Sequence, residues 1–70
     1  MLEIQAVKDP EQPGEILYRA RWLAEDGAVV RVLGTRTYDE DEVTERGHAA
    51  IRAEVDAWAR ELAVAKGFTP

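Results

Sequence analysis

The segment from Asp39 to Gly67 constrains the fold more than any other part of the chain. Its apolar residues recur at steps of three and four, which is the spacing of one face of an α-helix. Asp39, with Glu42 three residues later, resembles a capping box at the start of this helix. Gly67 can adopt the left-handed conformation that ends a helix, with Phe68 folded back on the last turn. We therefore predict a helix over about residues 39–66, with a buried stripe formed by Val43, Gly47, Ile51, Val55, Trp58, Leu62 and Ala65.

Gly47 is the weak point of this predicted helix. A glycine inside a helix costs about 1 kcal/mol relative to alanine. A close approach to the sheet, or a mild bend, would explain a glycine on the buried stripe. The alternative is a break near Arg46 and Gly47, which would give a short acidic helix followed by the main one. The sequence leaves both possibilities open.

Three segments before the helix alternate apolar and polar residues, as half-buried β-strands do. Pro10 and Pro13 lie in the first loop, and Asp26-Gly27 suits a type I′ hairpin turn between the second and third strands. The proline loop leaves open which strand the first one pairs with. We predict one α+β domain over residues 1–70, a three-stranded antiparallel meander followed by one long C-terminal helix packed on one sheet face. The predicted strands cover about residues 2–8, 15–24 and 28–36.

The alternation divides the predicted sheet into two faces. The even-numbered face is expected to meet the helix and to continue onto the third strand through Val30 and Val32. The odd-numbered face has no second helix to cover it, and it mixes aliphatic residues with arginines. A solvated sheet face is normally polar, so we interpret this mixture as a partner-binding surface. The alternative is that the leucines and valines only favour strand formation on a solvent-exposed face. The predicted surface consists of Leu17, Arg19, Arg21, Leu23, Val29, Arg31 and Leu33.

The formal charge of −5 is unevenly distributed along the chain. Residues 1–38 hold five bases and six acids, whereas residues 39–70 hold four bases and eight acids. Nucleic-acid-binding domains usually show the opposite sign. We therefore do not expect nucleic acid as the partner, and we keep sheet-face binding through Arg19, Arg21 and Arg31 as an alternative.

Few residues could support catalysis or hold a cofactor. The only histidine, His48, has no serine or cysteine in the chain to activate as a nucleophile. The acidic cluster, which is Asp39, Glu40, Asp41 and Glu42, lacks the spacing and the glycine of a calcium loop, and a helix N-terminus favours such carboxylates without a metal. No apolar run approaches the roughly 20 residues that span a bilayer, and no signal peptide is recognisable. We expect no enzymatic activity, no metal and no cofactor, and a cytoplasmic protein.

Two families resemble parts of the chain. Leu2, Ile4 and Ala6, the alanine-rich helix and the closing residues Gly67 to Pro70 resemble HicB-type antitoxin domains, which lack an Asp-Gly hairpin at this place and have a Pro-Gly loop before the helix. The hairpin from Tyr18 to Tyr38 resembles the arm-binding domain of phage-type integrases, and that resemblance implies an open sheet face that touches DNA. In this chain the segment from Tyr38 to Trp58 is too long for that domain, and the negative net charge is opposite to that of a typical DNA-binding domain. Neither set of residues is a family-specific motif, so the chain is assigned to neither family.

The leading hypothesis is a small, acidic, non-catalytic protein–protein interaction module. It would act by occupying a partner's surface, as an accessory or inhibitor protein of a phage or mobile element would. Self-association as a homodimer is the commonest form of such contact in a small prokaryotic domain. A HicB-like antitoxin domain and nucleic-acid binding through the open sheet face are the alternatives.

Overall fold

The computed structural model describes residues 1–68, which form three β-strands followed by two α-helices. The sheet is antiparallel, with the strand order β1-β2-β3. The second, longer helix packs on one face of it. The predicted α+β class and the three-stranded meander are therefore confirmed. The elements are β1 (Leu2–Val7), β2 (Glu15–Leu23), β3 (Val29–Asp39), α1 (Glu40–Arg46) and α2 (His48–Ala65).

Gly47 divides the helical region into α1 and α2. Its φ of 89° lies in the left-handed region, where a side chain would be strained and glycine is not. Its N–H donates to the carbonyl of Val43 and so closes α1. The break that the sequence left open is present, and one continuous helix over residues 39–66 does not form.

The N-terminal end of α1 is capped by Asp39. One carboxylate oxygen of Asp39 accepts a hydrogen bond from the N–H of Asp41, with a donor–acceptor distance of 2.9 Å. Glu42, the second member of the predicted capping box, instead accepts from Arg46 at 2.9 Å. The cap is therefore present as a single side-chain bond, and the reciprocal bond is replaced by an ion pair within α1.

The C-terminal end of α2 has the predicted glycine cap. Phe68 donates its N–H to the carbonyl of Ala63 at 2.8 Å, and Gly67 donates to Val64 at 3.0 Å, which is the Schellman pattern. The ring of Phe68 then stacks on Trp22, with 5.1 Å between centroids. This contact ties the end of α2 to the sheet. Thr69 and Pro70, the last residues of the HicB-like resemblance, lie outside the described residues.

The buried stripe of α2 departs from the predicted one in its second half. Trp58 and Leu62 are half-buried on the flank of the stripe. Small residues at its centre let the helix approach the sheet closely. At Gly34 of β3, a Cβ atom would lie 2.8 Å from Cδ2 of Leu62. The fully buried residues of α2 are Ile51, Val55, Ala59 and Ala63.

Two β-bulges change the faces to which residues of β3 belong. After the pair Ala20–Gly34, the next pair is Arg21–Val32, so Leu33 is an extra residue. A second irregularity follows towards the hairpin and leaves Val30 as a second extra residue. Each extra residue shifts the alternation of the strand by one position.

The bulges make the predicted faces of four β3 residues wrong, and Arg31 is one of them because it pairs with Trp22 of the covered side. Val30 and Val32, predicted for the helix-covered core, are 56% and 51% exposed. Leu33, predicted for the uncovered face, is only 4% exposed and packs in one cluster with Ala59 and Ala63 of α2. The extra residue therefore places a leucine in the core where a valine was predicted.

Candidate partner-binding surface

The sheet face opposite α2 has no covering element within residues 1–68. Tyr18 and Ala20 of β2 pack against α2, so the residues that alternate with them project from the other side. The strand register arranges this side in three rows across the sheet, with a polar middle row. We call these nine residues the open face: Val7, Leu17 and Thr37; Gln5, Arg19 and Thr35; Glu3, Arg21 and Val32.

Three of the seven predicted contact residues lie on the open face. Leu17, Arg19 and Arg21 project from the central strand, and all three are partly exposed. They supply one aliphatic and two cationic groups in a line along β2. The structure therefore places the central part of the predicted surface on the uncovered side of the sheet, and its binding role stays a prediction.

The other four predicted residues are not part of this surface. Leu33 lies in the core, and Leu23 is buried as well. Val29 is exposed, but it pairs with Leu23 at the hairpin end. Arg31 pairs with Trp22, whose ring packs on the covered side of the sheet. Glycine inside a strand is a known signal for a bulge, so Gly34 was a local signal for the first bulge, which moves Leu33 and Arg31 to the covered side.

Arg21 is engaged by a cross-strand partner. Its Nε donates to Oε1 of Glu3 at 2.9 Å, and Nη2 contacts the same oxygen. The two residues are directly opposite each other in the β1–β2 register. This pair neutralises one of the two arginines on the open face.

Arg19 is the other cation of the open face. It makes no ion pair with any residue that the structure describes, and its register neighbours are Gln5 and Thr35. Five guanidinium N–H donors thus lie between two short polar side chains. This row can donate to a carboxylate or to backbone carbonyls of a partner.

The acidic cluster lies at one end of the sheet and has structural partners. Asp39 caps α1, Glu42 pairs with Arg46, and Glu40 accepts from Nζ of Lys8 at 2.9 Å. The N–H of Glu40 donates to Gly14, which fixes the start of α1 to the β1–β2 loop. Among residues 1–68, no three histidine or acidic side chains converge as they would around a metal ion.

A hydrogen-bonded network joins β3, α1 and α2 on the covered side. The hydroxyl of Tyr38 donates to Oε2 of Glu54 at 2.8 Å, and Arg46 donates to the same oxygen at 3.2 Å. Burial raises the pKa of Tyr38, and its bond to Glu54 raises it further. Hydrogen bonds from Tyr38 and Arg46 lower the pKa of Glu54. The network holds α1 against α2 across the break at Gly47.

Comparisons of this chain with protein-family models, curated proteins and solved structures find no match. They add nothing to the two family resemblances that parts of the sequence show. Among the described residues, neither helix has the length and apolar character that crossing a bilayer requires. The function is therefore argued from the surface itself.

Proposed function

We propose that this protein is a non-catalytic protein–protein interaction module that binds its partner through the open face. The observation that supports this most directly is the asymmetry of β2. Its residues Tyr18 and Ala20 are buried under α2, whereas Leu17, Arg19 and Arg21 project from the opposite side and stay partly exposed. Such a module acts as an accessory protein or inhibitor by occupying the partner's surface.

The chemistry of the open face defines what the partner must offer. Leu17 lies between Val7 and Thr37, so one end of the face presents an apolar contact. Arg19, one row further along β2, presents a guanidinium without an ionic partner among the described residues. Arginine is enriched at interfaces and binds carboxylates bidentately. A complementary partner surface would place an apolar side chain next to a carboxylate.

A different protein fits this surface better than a second copy does. Leu23 and Leu33, which the homodimer hypothesis needed, are buried within the monomer. Two open faces packed together would bring Arg19 near its own copy, and the nearest acid, Glu3, is already paired with Arg21. Self-association through the open face stays a prediction, but the apolar area available for a dimer interface is smaller than the sequence indicated.

Nucleic acid is the weaker alternative. Its affinity depends on how many phosphates the protein neutralises. Arg31 does not share a face with Arg19, and Arg21 is paired with Glu3. Only Arg19 is left to contact phosphate on the open face. The distribution of charge therefore supports a protein partner.

Affinity capture with matched variants tests the proposal. Wild type, Leu17→Glu, Arg19→Glu and the control Val64→Glu, which changes an exposed residue of α2, are immobilised and incubated with lysate of the source organism. We expect the same protein to be captured by wild type and by the control, and to be lost from both open-face variants. Circular dichroism melts establish that all four proteins are folded. A partner retained by both open-face variants would contradict the proposal.

A further inference from the structure

Among residues 1–68, β1 forms an edge of the sheet with no further strand beside it, and the backbone groups that face away from β2 can be assigned from the register. The terminal amine of Met1 donates to the carbonyl of Leu23, and the N–H of Leu23 donates to the carbonyl of Met1, both at 2.7 Å. Bonded and non-bonded pairs alternate along an antiparallel ladder. The odd-numbered residues of β1 therefore bond to β2, and the even-numbered ones direct their N–H and C=O groups outward. These outward residues are Leu2, Ile4 and Ala6.

A groove of about 300 Å³ runs between this edge and α2. Its floor is apolar and comes from the start of β1. Its wall comes from three charged residues of α2 at steps of four, so they lie one above another on a single helix face. The lining residues are Met1, Leu2, Ile4, Arg52, Asp56 and Arg60.

The charges in the groove are unbalanced. Nε of Arg60 donates to Asp56 at 2.8 Å, so these two form an ion pair. Arg52 makes no ion pair with the described residues, and its Nη2 reaches the outward carbonyl of Ile4 at 3.4 Å. A guanidinium without a carboxylate therefore lies directly beside the free strand edge, in a protein whose net charge is −5.

We propose that an extended acidic segment of a partner protein adds to β1 as a fourth strand and places a carboxylate on Arg52. Strand addition obtains affinity from backbone hydrogen bonds and specificity from pockets for alternate side chains. Alternate residues of the added strand point towards α2. One of them fills the apolar floor beside Leu2 and Ile4, and the next one on that side is the aspartate or glutamate that meets Arg52. The recognised pattern is thus apolar, any residue, acidic.

A second copy of the chain does not satisfy this groove. The side of its own β1 that points towards α2 carries Leu2, Ile4 and Ala6, so it offers no carboxylate to Arg52. The opposite edge of the sheet is a poorer template, because the two bulges in β3 interrupt its regular pairing. Charge and register therefore favour a foreign acidic segment at β1. This inference uses none of the contact residues of the open face, so it can be tested independently of the proposed function.

Fluorescence anisotropy with defined peptides tests the inference. The probe is a labelled peptide of sequence Thr-Val-Thr-Glu-Thr-Val-Thr-Glu, and its counterpart has lysine in place of both glutamates. We expect wild type to bind the acidic peptide at least about tenfold more tightly than the lysine peptide. Arg52→Glu should reverse this preference, whereas Arg19→Glu on the open face should leave it unchanged.

A second variant separates strand addition from simple charge attraction. Ala6→Pro removes one outward N–H from the edge strand without changing any charge, and proline is tolerated at strand edges. We expect this variant to bind the acidic peptide several-fold more weakly while keeping the preference for glutamate. In NMR hydrogen exchange, the peptide should protect the amides of Leu2, Ile4 and Ala6. Equal binding of both peptides by wild type, or protection confined to β3, would overturn the inference.

Discussion

Val32 and Leu33 are adjacent in β3, and they show how differently the two faces of the sheet are built. Val32 lies opposite Arg21 on the open face and is 51% exposed, whereas Leu33 is buried under α2. In a strand without bulges their places would be reversed. The covered face thus receives the larger aliphatic side chain. The open face receives a valine beside a paired arginine.

The difference teaches that burial under α2 decides the composition of each face. The covered face contains two apolar clusters, and no described side-chain N or O atom is buried without a hydrogen-bond partner. The open face has a polar middle row and one cross-strand ion pair, Glu3–Arg21, at the surface. A substitution should therefore have a large effect on stability on one face and a small one on the other.

The neighbouring pair in β3 gives the largest expected contrast. Leu33→Ala should cost about 2–5 kcal/mol, because it leaves a cavity between the sheet and α2. In a domain of this size that corresponds to a decrease in Tm of at least about 10 °C. Val32→Ala should change stability by no more than about 0.5 kcal/mol. Thermal melts followed by circular dichroism measure both, and equal effects would contradict the bulged register.

The stability of the protein should depend on pH through Tyr38 and Glu54 at the edge of the covered face. The pKa of Glu54 is lowered by folding, so its contribution is present at neutral pH and is lost as pH falls below the ordinary value of 4.5. The pKa of Tyr38 is raised, so its contribution is lost as pH rises above 10.0. Tm measured against pH should fall at both ends. Glu54→Gln should flatten the acid side of this profile, whereas Glu61→Gln, which removes one charge elsewhere on α2, should not.

Removing the hydroxyl of Tyr38 sharpens the same contrast. Tyr38→Phe deletes one hydrogen bond and should cost about 0.5–1.5 kcal/mol. It should also abolish the alkaline decrease that Tyr38 causes. An alkaline profile identical to that of wild type would show that another group is responsible.

On the open face, the Glu3–Arg21 pair should contribute little. Cross-strand opposite-charge pairs are worth roughly 0.2–1 kcal/mol, so Glu3→Gln should lower stability by no more than about that amount. The effect should shrink in high salt, because the pair is partly exposed. Urea titrations at low and high salt test this. A loss comparable to that of Leu33→Ala would mean that the open face is covered by something else.

Leu17→Glu should affect association and leave stability nearly unchanged. If the open face mediates self-association, this variant shifts the protein to the 7.8 kDa monomer, and Val64→Glu on α2 does not. Sedimentation of wild type and both variants at tens of micromolar measures this. A wild type that is already monomeric would rule out the homodimer and leave the open face to a foreign partner.

Much of the fold could be predicted because it follows local rules. The strand alternation, the Asp39 cap and the Gly67 cap each depend on residues close in sequence, and each is present. The alternation alone could not locate the two bulges in β3. Gly34 indicated that a bulge was possible, but the position of the extra residue depends on the packing of α2 over Leu33. A count of alternating residues carries no information about that packing.

The candidate surfaces were predictable only in part for the same reason. Leu17, Arg19 and Arg21 lie in the regular central strand, and the face predicted for them from the alternation is the one observed. The groove beside β1 was not predicted, because it combines a strand edge with Arg52 and Arg60, which follow it by about fifty residues. Only the docking of α2 brings them together. Asp56 and Arg60 are an acid–base pair at four-residue spacing on one helix, and this spacing gives no sign of the neighbouring strand edge.

The order of elements along the chain also sets a sequence of events during synthesis. All three strands precede α1 and α2, so the strands leave the ribosome first and can pair as hairpins within microseconds. At about 5–20 residues per second, α2 is completed roughly one to five seconds after β3. Until α2 docks, the sheet face that carries Tyr18 and Leu33 has no covering helix. The face that is buried in the finished protein is therefore the one that a nascent-chain chaperone would meet.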